Sequence, residues 1–137
     1  IKVKLEEDNA IKPVRGGLIR GSDIDPAAVE MTRRNVARIP TGDELRVKRS
    51  DYRDLGGIED SVIVSNPPYG IRLQPAADMK AFMREFGDFL KQKCKGSDAY
   101  VYVGDKELAG EIGLKPALRL PLRNGGLDGR LLKFELY

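Results

Sequence analysis

Apolar positions along the chain follow two different rhythms. Ala28, Val29, Val36 and Ile39, with Thr32 between them, recur at roughly helical spacing behind Asp25-Pro26. An aspartate caps the free amides of a first turn, and a proline suits the first helical position. A helix is therefore predicted from Pro26 to about Arg38, closed by Pro40-Thr41-Gly42-Asp43. Leu18 to Asp23, just before it, reads as a short strand. Leu45 to Ser50 alternates apolar and basic residues, as a half-buried strand would. Ser61 to Ser65 does not alternate, and its flat apolar run predicts a strand inside a parallel sheet. Met79, Phe82, Met83, Phe86, Phe89 and Leu90 then mark one face of a long amphipathic helix. Ala99 to Val103 predicts a further strand and Lys106 to Gly110 a short helix. Two β-type runs, about 115–122 and 130–136, flank Asn124-Gly125-Gly126, a hairpin signal.

These elements in this order predict an α/β fold, with a mostly parallel sheet and an antiparallel C-terminal hairpin. Residues 1–17 carry no firm periodicity and read as an irregular lead-in, so the domain is expected over 18–137. In such sheets, ligands sit at the carboxyl ends of the strands. Three polar features fall there: Gly21-Ser22-Asp23-Ile24-Asp25, Ser50-Asp51-Tyr52 and Ser65-Asn66-Pro67-Pro68-Tyr69-Gly70.

Composition narrows the chemistry by exclusion. The 137 residues are 41% hydrophobic and 33% charged, with one cysteine, Cys94, and no histidine. Nucleophiles activated by histidine, histidine-ligated metals, an internal disulfide and an all-cysteine zinc site are all excluded. A net charge of +3 permits a nucleic-acid partner without demanding one. With no secretory signal and no membrane-length apolar run, a cytoplasmic setting is expected, with neither metal nor membrane involved.

The richest stretch is Asn66-Pro67-Pro68-Tyr69. Proline holds the residue before it in extended conformations, so Asn66 and Pro67 form a stiff turn. That turn can aim two acceptors, the Asn66 amide oxygen and the Pro67 carbonyl, at one point, while Tyr69 offers a flat face. A planar substrate with an exocyclic amine suits this arrangement. Two acceptors gripping the amine hydrogens favour a pyramidal nitrogen, with its lone pair turned toward an electrophile. Catalysis would then rest on positioning and electrostatics.

Asn-Pro-Pro-Tyr after a hydrophobic strand resembles the catalytic motif of class I S-adenosylmethionine-dependent methyltransferases acting on amino or amide nitrogens. The resemblance implies a Rossmann-like fold. It gives Asn66 and Pro67 the target amine, Tyr69 the stacking face and Pro68 the fixing of the turn. It implies S-adenosylmethionine contacts from Asp23 (ribose), Ile24 (adenine face), Asp51 with Tyr52 (adenine edge) and Asn66. Asp25 reads better as a helix cap than as a ligand. Gly70-Ile71-Arg72-Leu73 and the tail Asn124-Gly125-Gly126-Leu127-Asp128 are similar to the RNA guanine-N2 methyltransferases that carry a THUMP domain, in particular the bacterial large-subunit ribosomal RNA branch. That branch implies methyl transfer to guanine N2 in RNA (ribosomal or transfer RNA), with Arg72 at a phosphate or base.

The family's first-strand motif, Asp-Pro-x-Cys-Gly-Ser-Gly-Thr, does not occur, so the fold is expected to be incomplete at its N-terminus. Adenine-N6 DNA methyltransferases and protein-glutamine methyltransferases use the same four residues. A non-catalytic remnant domain is the reading from another class. Arg33, Arg34, Arg38, Arg46, Lys48 and Arg49 read as a solvated face, and Tyr100 and Tyr102 as packing residues.

Overall fold

The structure is a computed structural model that describes residues 14–68 and 76–137. Its contacts divide the chain at Leu55 and Gly56 into two units.

In the first unit, β1 (Arg20–Asp23) pairs in parallel with β2 (Arg46–Arg49), in register Arg20 to Arg46 and Asp23 to Arg49. The connection is α1 (Pro26–Val36), whose first turn is capped by Asp25 accepting from the Ala27 amide at 2.9 Å. The helix stops two residues short of the expected Arg38. The Arg38 and Ile39 amides bond to Asn35 and Val36, three residues back, tightening the chain ahead of Pro40. Val29 is buried on its inner side. Arg33 is more than a solvated charge, because its Nε and Nη2 donate to the Val47 carbonyl at 3.1 and 2.8 Å and tie α1 to β2.

The second unit holds a four-stranded sheet in the order β3-β4-β6-β5. Strand β3 (Val62–Ser65) runs parallel to β4 (Asp98–Val103), while β6 (Leu127–Glu135) is antiparallel to both β4 and β5 (Leu118–Asn124). Helices α2 (Ala76–Lys93) and α3 (Lys106–Glu111) precede and follow β4. The core is Met79, Met83, Phe86 and Leu90 of α2 with Ala99, Val101, Val103, Leu108, Ile112, Leu132 and Phe134. Phe82 and Phe89 flank Phe86 as stacked rings, 6.3 and 6.5 Å away. Cys94 is buried at the end of α2, where desolvation pushes its thiol pKa up.

The parallel pairs and the antiparallel C-terminal hairpin are those expected from the sequence. The burial of β3 is not: Val62 and Val64 are 71% and 78% exposed. The strand is the edge of its sheet, and these two valines share a face with the half-exposed Leu118, Leu120 and Leu122. The opposite face carries the core. Among the described residues there is no acidic, cysteine or histidine cluster suited to a metal, and no helix is long and apolar enough to cross a membrane.

Candidate functional site

Candidate residues of the first unit meet at the carboxyl ends of β1 and β2. The Ser50 amide donates to the Asp23 carbonyl at 2.9 Å, and Arg49 Nε donates to the Ile24 carbonyl at 3.1 Å. These bonds hold the segments after the two strands side by side. Asp23 Oδ1 accepts from the Asp25 amide at 2.8 Å, and the carboxylate is exposed. Ile24 is 60% exposed, an apolar face beside that carboxylate. Asp51 opens the turn Tyr52–Asp54, accepting from the Arg53 amide at 2.9 Å and pairing with its guanidinium at 3.2 Å. That guanidinium also lies over the half-buried Tyr52 ring, 5.3 Å from its centre. A carboxylate beside an exposed aliphatic side chain suits a nucleoside, with hydroxyls toward the acid and a ring on the isoleucine. Asp51 is engaged in its own turn, so Asp23 and Ile24 are the better-placed pair.

In the second unit, Asn66, Pro67 and Pro68 follow directly from β3. Asn66 and Pro68 are exposed and Pro67 is buried, as a turn anchored through its first proline requires. Tyr69 and Arg72 lie outside the described residues. Asn66 lines a cavity of about 290 Å³ together with Tyr102, Leu122, Arg123 and Asn124. Tyr102 is a packing residue, 7% exposed, and its ring crosses Gly129 of β6. A Cβ at Gly129 would overlap the Tyr102 hydroxyl and ring, so only glycine leaves this space. The hairpin closes tightly: Asn124 pairs with Leu127, and Gly125 has φ of 59°, which favours glycine. The presence of Asn124 and Arg123 beside Asn66 was not legible in the sequence, where Asn124-Gly125-Gly126 signalled only a turn. A second recess, lined by Arg33, Val36, Leu45 and Val47 among others, lies against α1 and β2, where Arg33 is already engaged.

Two polar groups thus stand at strand ends, as the parallel pairing directs. The RMKL-like methyltransferase domain family (UPF0020) matches residues 1–133. The chain belongs to that family. It is 35% identical over 118 residues to slr0064 of Synechocystis sp., whose name assigns it provisionally as an RNA methyltransferase; the match covers 85% of this chain and 31% of that protein. It is 31% identical over 122 residues to ribosomal RNA large subunit methyltransferase K/L of Pseudomonas entomophila, covering 86% of this chain and 17% of the relative. Among solved structures, SMU.472, provisionally described as a methyltransferase and crystallised with SAH, superposes with a TM-score of 0.79 at 26% identity, covering 99% of this chain and 36% of that one. The chain therefore spans about a third or less of the length of these relatives.

Proposed function

We propose that this chain is part of an S-adenosylmethionine-dependent RNA methyltransferase acting on the exocyclic N2 amine of guanine, with large-subunit ribosomal RNA as substrate and the cytoplasm as its setting. One observation carries the reading. Asn66-Pro67-Pro68 follows directly from β3, and Asn66 borders a recess of about 290 Å³. The names of the relatives support methyl transfer to RNA, and the SAH in SMU.472 supports the cofactor.

In this reading the cofactor supplies an electrophilic methyl group, and the chain's residues bind and orient. Asp23 holds the ribose hydroxyls, Ile24 packs on the adenine, and Asp51 with Tyr52 meets its edge. Asn66 Oδ1 and the Pro67 carbonyl accept the two hydrogens of the target amine and turn its lone pair outward. Pro68 keeps the two acceptors fixed, Tyr69 stacks on the base, and Arg72 meets a phosphate or base. Orientation lowers the barrier here without a charged base, and the proton that the methylated amine sheds passes to solvent. The target nucleotide must leave its stack to reach the pocket. In the full-length protein, Asn66→Ala is expected to abolish transfer of labelled methyl to RNA. Undiminished transfer overturns the assignment. Offering DNA and protein in parallel decides among guanine in RNA, adenine in DNA and the glutamine amide of a protein.

A further inference from the structure

Asn124 borders the same recess as Asn66, and no role in recognition follows for it from the turn it closes. It ends β5 at the hairpin, next to Arg123, and faces the same space as the Tyr102 ring and the exposed Leu122 side chain. The lining of the recess thus includes two asparagines, an arginine and the apolar side chain of Leu122. Arg123 Nε is 3.3 Å from Asp128, which engages that guanidinium.

We infer that Asn124 is the specificity-determining residue that reads guanine beside its target amine. The inference rests on the guanine-N2 reading above and extends it to a residue that reading leaves idle. Guanine displays three groups in a row: the N2 amine, the N1–H donor and the O6 acceptor. With the amine held by two acceptors, its neighbours require one acceptor and one donor in the plane of the ring. A carboxamide offers both, the oxygen for N1–H and the amino group for O6. A guanidinium has donors only and could satisfy O6 alone. Adenine presents its own amine beside an N1 that only accepts, so it leaves the carboxamide oxygen without a partner. Leu122, half-exposed, supplies apolar surface beside the ring.

The test compares RNA substrates carrying either guanosine or 2-aminopurine riboside at the target position. The analogue keeps the 2-amine but lacks both N1–H and O6. Wild-type full-length protein is expected to favour guanosine in kcat/KM by about tenfold or more, the discrimination of one bidentate contact. Asn124→Ala should slow guanosine alone and bring the two substrates to within about twofold. Asn124→Asp keeps the turn preference of the position and the acceptor for N1–H but removes the donor to O6, and should slow guanosine while retaining a preference over the analogue. Cofactor affinity, measured by calorimetry, should not move in either variant. An unchanged ratio in Asn124→Ala overturns the role of Asn124 and leaves the guanine reading standing. If wild type methylates neither 2-amine, the guanine reading fails and this inference fails with it.

Discussion

The Ser97 hydroxyl is buried, donates to the Ile58 carbonyl at 2.8 Å and accepts from the Ser61 amide at 3.0 Å. It thereby serves two main-chain groups in the segment that leads into β3. Removing the hydroxyl leaves both groups short of a partner, and that desolvation cost outweighs any gain from a smaller side chain. Ser97→Ala is expected to lower stability by about 1–3 kcal/mol, read as a shift in the denaturant midpoint. Residue roles differed in how far the sequence displayed them. Asp25 was legible as a helix cap because capping is a local bond, made two residues away. Arg33 was not, because its partner carbonyl belongs to Val47, fourteen residues on, and only the fold brings the two together.

At the scale of elements, α2 and α3 set a close approach that composition alone would misjudge. Gly87 lies inside α2 and is buried, with the Ile112 carbonyl just past α3 against it. Alanine at this position gains helix propensity of roughly 1 kcal/mol. Its Cβ, however, would overlap the Ile112 carbonyl oxygen and lie 2.8 Å from the carbonyl carbon, and main chain yields less readily than a side-chain tip. Gly87→Ala is therefore expected to destabilise by about 1–3 kcal/mol, lowering the thermal midpoint rather than raising it. The strands and α-helices were legible in the described residues, since each follows a local period or a local stop signal; the single 3₁₀ turns Gly42–Glu44 and Tyr52–Asp54 were not. Their surroundings were not. A flat apolar run such as Val62-Ile63-Val64 suits a strand with both faces covered, yet β3 is an edge with two exposed valines. Its neighbours in the sheet come from residues 98–103 and beyond, and the pattern within β3 holds no record of them.

Over the whole molecule the two units are unequally built. Of the described apolar residues that are buried, Val29 alone belongs to the first unit, and the rest, from Met79 to Leu136, belong to the second. Opening free energies follow buried apolar contact and protected hydrogen bonds. Amide hydrogen exchange is therefore expected to be slowest in β4 and β6, around Val101 and Leu132, and faster in β1 and β2; equal protection in both units would contradict this account. The sequence by itself determined the α/β order of elements, the cap at Asp25, the hairpin at Asn124-Gly125 and the stiffness of Asn66-Pro67-Pro68. All of these arise from dihedral limits and bonds within a few residues. The tertiary structure alone decided that Asn124, Tyr102 and Leu122 border the cavity at Asn66, and that Val62 and Val64 are exposed. Those facts depend on strand order and register, which join residues tens of positions apart and leave no local trace.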